Sequence, residues 1–129
     1  MRNWSVVSSP INDPDKAAKV FADDRANVFH SWSAQAQISP MAIAGGAGSY
    51  FWDFTGKKYL DFSCQLVFTN IGHQHPKVIE AIKAQADILT TIAPQHANEA
   101  RNEAAKRIIE ISGDKFKNVF FTNAGADGV

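Results

Sequence analysis

A row of small side chains near the end of the printed sequence could bind an anion. The apolar run Val119–Phe121 is followed by Ala124, Gly125 and Ala126, and then by Asp127. Small side chains leave backbone N–H groups accessible to a phosphate, and the N-terminus of a following helix would attract its negative charge. An ordinary tight turn after a strand has the same composition. On these residues alone, an ordinary turn is favoured over a phosphate-binding turn.

The histidines and the single cysteine offer less chemistry. His73 and His75 lie two residues apart, but no cysteine or carboxylate cluster close in sequence completes the spacing of a metal site. A turn closed by its own backbone is therefore favoured over a metal site. His30 and His96 are isolated, which favours structural or surface roles. Cys64 stands among aromatic and aliphatic residues, which favours a buried, unreactive thiol over a nucleophile.

The composition excludes several classes of function. The 129 residues include 13 basic and 13 acidic side chains, so the net charge is 0 and the basic excess of a nucleic-acid-binding protein is missing. A hydrophobic content of 45% is that of a globular protein. No apolar run approaches the roughly 20 residues of a membrane span, and the first residues lack the apolar segment of a signal peptide. We expect a cytoplasmic protein that binds neither nucleic acid nor membrane, and no disulfide within the chain.

The first half of the chain predicts one helix and one hairpin. Asp13 followed by proline is typical of a helix start, and the spacing of apolar residues predicts a helix over 14–27. Aromatic-rich segments at 49–53 and 58–62 flank a turn with a glycine and predict a β-hairpin. The glycine-rich segment 45–48 before it predicts a flexible break. The aromatic side chains of the hairpin could stack on nucleic acid bases, but the net charge of 0 for the chain favours a packed hairpin.

The second half predicts two helices and a strand. Apolar residues recur at helical spacing over 76–89 and 97–111, and Gly113 is a natural stop for the second helix. The apolar stripe of 78–89 could be core or a partner interface. The wholly apolar run Val119–Phe121 predicts a strand buried on both faces, which needs neighbouring strands on both sides. Without them its apolar faces would be exposed.

Three spaced motifs occur in a fixed order: Gly48-x-Tyr50-x-x-Asp53-x-x-Gly56-x-x-Tyr59-Leu60-Asp61, Asn70-x-Gly72-His73-x-His75-Pro76 and Phe120-x-Thr122-Asn123-x-Gly125-Ala126-Asp127. Over about residues 28–128, the chain resembles the N-terminal part of class III aminotransferases. These are fold-type I enzymes that use pyridoxal phosphate, and the resemblance is to their omega-amino acid and amine:pyruvate branch. It implies an α/β fold, with an arm and part of a small domain with its hairpin in 1–75. The incomplete start of the large cofactor-binding domain would occupy 76–129.

The resemblance also implies residue roles. The phosphate of the cofactor would be bound by the turn at Ala124, Gly125 and Ala126, where alanines replace the hydroxyl residues of the family and leave backbone N–H donors. Asp127 stands where the family has an acidic residue near the cofactor. The substrate pocket would be lined by Trp32, Leu66 and Val67. Family members that act on bulky amines often carry tryptophan at the position of Val67, so valine implies a roomier or differently shaped pocket.

The reaction that the resemblance implies is transfer of an amino group from an amine or omega-amino acid to a keto acid such as pyruvate. The catalytic lysine of the family would lie beyond position 129, and no lysine of this sequence has its context, so no catalytic residue is assigned. Family members are several times longer, so we expect a truncated product or partial gene that is inactive alone. The alternative is a non-catalytic remnant or an oligomerisation fragment that pairs through the 76–111 helices. The complete enzyme would be a homodimer, with the connection 90–96 reaching the neighbouring subunit's pocket.

Overall fold

The computed structural model describes residues 11–113 and 115–128, which divide into two compact units at Ala84/Gln85. The predicted domain boundary at 75/76 stays a prediction. In chain order the helices and strands are α1 (Pro14–Asn27), β1 (Ile43–Ala47), β2 (Tyr50–Asp53), β3 (Lys58–Leu60), α2 (Pro76–Ile88) and α3 (Glu99–Ile111), followed by a 3-10 turn (Gly125–Gly128). Among these described elements, no helix has both the length and the apolar character needed to cross a bilayer.

The helix α1 begins as its sequence predicts. The Oδ1 of Asp13 accepts a hydrogen bond from the backbone N–H of Lys16 at 2.9 Å, and Pro14 occupies the first helical position, where no N–H is needed. The helix ends where Val28 turns to extended backbone. The backbone N–H of Asp13 also donates to the carbonyl of Phe54 at 2.7 Å, so the start of α1 is joined to the turn between β2 and β3.

The strands form one antiparallel sheet in the order β1-β2-β3. The predicted hairpin is confirmed, although its second strand is shorter than 58–62 and ends at Leu60. Asp53 closes the turn: its Oδ1 accepts from the backbone N–H groups of Thr55 and Lys57 and from the Thr55 hydroxyl, and its Oδ2 accepts from the hydroxyl of Tyr59 at 2.9 Å. These hydrogen bonds, that of the Thr55 hydroxyl first, outweigh desolvation and lower the pKa of Asp53.

The prediction of a flexible break at 45–48 is wrong, because Gly45 and Gly46 lie inside β1. A Cβ on Gly45 would lie 3.0 Å from Cζ2 of Trp52, and one on Gly46 would lie 2.9 Å from Cγ of His73. Both distances are shorter than normal carbon contacts. The two glycines therefore let side chains pack directly on the backbone of β1, and their role is close approach and not flexibility.

The core of the described residues is small. Trp52 and Phe54 are the buried hydrophobic side chains, each 8% exposed, and Asp61 is the buried charged residue. The rings of Phe51 and Tyr59, which are paired across β2 and β3, stack with centroids 5.3 Å apart. The sheet therefore buries few apolar side chains, and one stacked aromatic pair joins β2 to β3.

The second unit contains a well-capped helix followed by an irregular segment. The side chain of Asn98 accepts from the N–H of Arg101 at 3.1 Å, so α3 begins at Glu99, and Gly113 follows its end with a φ of 71°. The predicted strand over Val119–Phe121 is wrong for this structure: these residues pair with no strand in the described part of the chain. Phe120 is 88% exposed, as expected for an apolar run without neighbouring strands.

Candidate functional site

The tight turn between β1 and β2 brings two distant residues together. Gly48 has a φ of 57°, at the position where a II′ hairpin turn requires glycine. Its N–H donates to the carbonyl of His73 at 3.0 Å, and the N–H of His73 donates back to its carbonyl at 2.8 Å. The next residue, Ser49, accepts from the N–H of Asp61 at 2.9 Å. The turn therefore fixes Asp61 and His73 side by side, although they are far apart in the sequence.

The side chains of Asp61 and His73 form a close pair. Oδ2 of Asp61 lies 2.6 Å from Nε2 of His73, and the two side chains are 4% and 19% exposed. Oδ1 of Asp61 accepts from the N–H of Gln65 at 3.2 Å and from the hydroxyl of Ser63 at 3.4 Å. Burial raises the pKa of Asp61, but the hydrogen bonds from His73 and Gln65 outweigh it and hold this pKa below its usual value. At neutral pH Asp61 is therefore a buried carboxylate.

Three glycines make room for His73. Gly46 leaves the space that the imidazole ring occupies, and Gly48 supplies both backbone hydrogen bonds. Gly72 has a φ of 89°, and a Cβ on it would lie 3.2 Å from the carbonyl oxygen of Gly48. The ring of Phe51 lies 6.3 Å from the imidazole, tilted by 58°. His73 is thus held by the close approach to Gly46, by the backbone hydrogen bonds to Gly48 and by its pairing with Asp61, which the sequence alone did not reveal.

The loop between Asp61 and His73 contains an unusual left-handed turn. Cys64, Gln65, Leu66 and Val67 have φ values of 49°, 47°, 59° and 68°. Left-handed backbone costs L-residues roughly 1–2 kcal/mol each, and most for a β-branched side chain such as valine. The turn is closed by hydrogen bonds from the N–H of Val67 to the carbonyl of Ser63 and from Thr69 to Cys64, both at 3.0 Å. Cys64 is half-buried, not fully buried as predicted.

The three residues predicted to line the substrate pocket all lie on turns of the first unit. Leu66 and Val67 are each 79% exposed on the left-handed turn. Trp32 has a φ of 58° and is fully exposed, at 102%, so its ring packs against neither of them. Next to it, Gln35 accepts from the N–H of His30 at 3.1 Å and donates to the carbonyl of Ser33 at 2.9 Å. The three side chains are therefore presented on ordered turns but are not brought into contact.

A cavity of about 520 Å³ lies beside the left-handed turn. Gln65 and Phe68 of the loop line it, together with His73, Phe51 and residues of β1. His73 in this lining is fixed to the sheet by the backbone hydrogen bonds of Gly48, and Gln65 in it belongs to the strained loop. No group of three metal-ligating side chains occurs among the residues that the structure describes, which include both histidines of the 73–75 pair.

The predicted cofactor-binding residues form a short, exposed 3-10 turn in the second unit. The N–H of Asp127 donates to the carbonyl of Ala124 at 3.1 Å, and the hydroxyl of Thr122 donates to the same carbonyl at 3.2 Å. A Cβ on Gly125 would meet nothing within 4 Å. The N–H groups of Gly125 and Ala126 begin the turn, where a helical acceptor is missing. The small side chains and these N–H groups fit a phosphate.

The sequence matches the model of one protein family, Aminotransferase class-III, over residues 32–129. Among curated relatives, the acetylornithine aminotransferase of Methanocaldococcus jannaschii is 40% identical over 88 residues, which is 68% of this chain and 22% of that protein. The acetylornithine aminotransferase of Caldanaerobacter subterraneus is 40% identical over 89 residues, again 68% of this chain and 22% of that protein.

Solved structures with a fold similar to that of this chain are also aminotransferases. The taurine:2-oxoglutarate aminotransferase of Bifidobacterium kashiwanohense, in complex with PLP and glutamate, superimposes with a TM-score of 0.82 at 38% identity, over 86% of this chain and 25% of that one. An S-selective transaminase from an Arthrobacter species with alanine bound has a TM-score of 0.78 at 32% identity, over 85% of this chain and 24% of that one. The chain thus spans about a quarter of the length of these proteins.

Proposed function

Because the chain belongs to the class III aminotransferase family, we propose that it forms the N-terminal part of a pyridoxal-phosphate-dependent aminotransferase. The observation that carries this proposal is the family match over residues 32–129, which includes all three spaced motifs. The whole protein would move an amino group from an amine or omega-amino acid to a keto acid such as pyruvate. We propose that it does so as a cytoplasmic homodimer.

The names of the relatives support a donor with a terminal primary amine. Acetylornithine and taurine, which name two of the matched enzymes, each carry a primary amine at one end of a carbon chain and an acid group elsewhere. One neighbouring structure has alanine bound, and alanine is the amino counterpart of pyruvate. Another has glutamate, the counterpart of 2-oxoglutarate. The relatives thus support either acceptor, and we propose pyruvate because the three spaced motifs resemble the amine:pyruvate branch, with 2-oxoglutarate as the competing outcome of the test.

The cofactor would be held at its phosphate by the 3-10 turn. The N–H groups of Gly125 and Ala126 would donate to phosphate oxygens, Ala124 would leave the approach open, and Asp127 would follow near the cofactor. When bound, pyridoxal phosphate supplies a ring that accepts electron density from the substrate. The turn contributes binding and orientation, and the lysine that completes the chemistry is not assigned to any residue of this chain.

The substrate would meet apolar side chains on two turns. Trp32 offers a fully exposed ring, and Leu66 and Val67 offer aliphatic surface on the left-handed turn. Exposed apolar side chains that are ordered by turns are typical of surfaces covered by another part of a protein or by a ligand. We propose that these three residues line the pocket for the carbon chain of the donor, and that the connection 90–96 reaches the pocket of a second subunit.

The test is amino transfer by the complete protein that carries this segment. The purified protein is supplied with pyridoxal phosphate, one amino donor (N-acetylornithine, taurine, β-alanine or 1-phenylethylamine) and either pyruvate or 2-oxoglutarate. We expect alanine to form with pyruvate, detected by chromatography. The 129-residue chain alone, as a control, should form none. Glutamate formation without alanine would overturn the choice of acceptor, and the absence of both products with every donor would overturn the proposal.

A further inference from the structure

We propose that the buried pair of Asp61 and His73 is a positioning device for substrate: it holds the turn of residues 64–67 left-handed, so that Leu66 and Val67 stand at fixed positions. The conformational part of this proposal concerns the turn alone. Its consequence for substrate rests on the proposed function. Neither Asp61 nor His73 is proposed to touch substrate, so both are positioning residues.

The turn requires something to hold it. Four successive L-residues with positive φ, the last of them a valine, lie in a region of backbone space that such residues rarely occupy. Conformations of this kind persist only where surrounding structure over-determines them. The side chains of Leu66 and Val67 cannot do so, because each is 79% exposed and therefore has few packing partners. The restraint must come from hydrogen bonds and from the two ends of the loop.

Asp61 provides that restraint at the start of the turn. Its Oδ1 accepts from the N–H of Gln65 at 3.2 Å, which fixes the second left-handed residue directly. Its Oδ2, only 2.6 Å from Nε2 of His73, ties the start of the loop to its end. Both residues are in turn fixed to the β1–β2 turn by the backbone hydrogen bonds of Gly48 and Ser49. One carboxylate thus binds the second left-handed residue and also joins the two ends of the loop.

The same pair defines the space beside the turn. His73 and Gln65 line the 520 Å³ cavity together with Phe68, so the carboxylate connects both walls of that cavity. Loss of the carboxylate would release the Gln65 wall while the sheet continues to hold the other. Because Leu66 and Val67 follow Gln65 on the same turn, we expect the affinity for the carbon chain of the donor to change more than the chemical step or the binding of the cofactor.

The first experiment compares variants of the complete protein that carries this segment. We expect Asp61→Ala to raise the KM for the amino donor about tenfold, which corresponds to about 1.4 kcal/mol, with kcat and the cofactor content by absorbance unchanged. Asp61→Asn retains an acceptor for the N–H of Gln65 and should raise KM less. Asp53→Asn is the matched control, because that carboxylate closes the neighbouring hairpin turn without touching the loop. It should leave KM unchanged.

A rescue variant separates positioning from general stability. Gln65→Gly introduces glycine into the turn, and glycine adopts a positive φ without strain. Introduced together with Asp61→Ala, it should recover at least half of the lost donor affinity on a logarithmic scale. A purely structural role for Asp61 predicts instead equal effects on KM, kcat and cofactor content, and no recovery of KM by glycine. That pattern would overturn the proposal.

The second experiment does not depend on the reaction. Amide hydrogen exchange of the segment 62–70, followed by mass spectrometry, should be faster in Asp61→Ala than in the wild-type protein and unchanged in Asp53→Asn. If Asp61→Ala does not fold, His73→Ala, which removes the partner of Oδ2 of Asp61 and so separates the two ends of the loop, is measured in its place. Unchanged exchange in the folded variant would refute the proposal even if the protein is an active aminotransferase. Faster exchange in a protein without aminotransferase activity would support the turn restraint and reject the proposed function alone.

Discussion

Cζ2 of Trp52 lies 3.0 Å from the position that a Cβ on Gly45 would occupy. The indole ring therefore rests directly on the backbone of β1, and Trp52 is one of the two buried hydrophobic side chains of the described residues. Since only two hydrophobic side chains are buried among these residues, the indole of Trp52 supplies much of the apolar surface that the first unit removes from water.

Replacement of this glycine should be costly. We expect Gly45→Ala to lower the free energy of unfolding by about 1–3 kcal/mol, because the added methyl group overpacks against the indole. Urea denaturation followed by tryptophan fluorescence measures the change. The matched control is Gly128→Ala, at a glycine where a Cβ would meet nothing within 4 Å, which should change the free energy little. Equal effects of the two substitutions would contradict the packing role of Gly45.

The stability of the first unit should fall in acid. The pKa values of both Asp53 and Asp61 are lowered by folding, from the ordinary value of 3.8. A lowered pKa means that the folded state favours the carboxylate, so the stabilisation is fully present above pH 3.8 and is lost as the pH falls through the lower, folded values. Thermal melting between pH 2 and pH 7 should show this loss. In Asp53→Asn and Asp61→Asn the loss should be smaller than in the wild type, and an unchanged acid slope in both would be inconsistent with these two groups as its source.

The contribution of the Asn98 cap to the stability of α3 should be measurable separately from the stability of the first unit. Asn98→Ala removes the acceptor for the N–H of Arg101 and should cost about 1 kcal/mol of helix stability. Asn102→Ala, at an exposed position within the same helix, is the control and should be neutral or slightly stabilising, because alanine is the better helix former. Amide exchange of the first turn of α3 reports the difference. If these amides exchange at the same rate in both variants, the side chain of Asn98 does not stabilise the helix start.

The left-handed turn contains a position at which substitution should stabilise the protein. Val67→Gly should raise the free energy of unfolding by about 1 kcal/mol, because glycine adopts a φ of 68° without the steric cost borne by valine. Under the proposed function, the same change should weaken donor binding by removing an apolar side chain. Val78→Gly, inside α2, is the control and should be destabilising. A loss of stability in Val67→Gly would show that valine at this site is held by packing instead of being strained.

The proposed phosphate turn can be tested through its N–H groups. Gly125→Pro removes one donor while its fixed φ suits the first position of a 3-10 turn. In the complete protein it should weaken pyridoxal phosphate binding at least about tenfold, since a hydrogen bond to a charged group contributes roughly 1.5–3 kcal/mol. Gly125→Ala retains the N–H and should bind the cofactor nearly as well as the wild type. Titration of the cofactor by absorbance decides between them, and equal affinities would exclude this N–H as a donor.

Features with local causes could be predicted from the amino-acid sequence. Asp13-Pro14 placed the start of α1, helical spacing placed α3, and alternation with a central turn placed the β2–β3 hairpin. In each case the responsible hydrogen bond joins residues three to six positions apart, so the information lies within one short window. The three spaced motifs also carried the family, because their order along the chain is itself a property of the sequence.

Features that depend on contacts between distant segments became visible in the folded chain. Gly45 and Gly46 looked like a flexible break, because nothing local shows that Trp52 and His73 pack on them. The approach of His73 to Asp61 depends on a third segment, the β1–β2 turn, and Asp61 also accepts a hydrogen bond from Gln65 of the left-handed turn. The run Val119–Phe121 gives the converse case, since its composition suits a strand. A strand exists only through hydrogen bonds to neighbours, and no described segment supplies one.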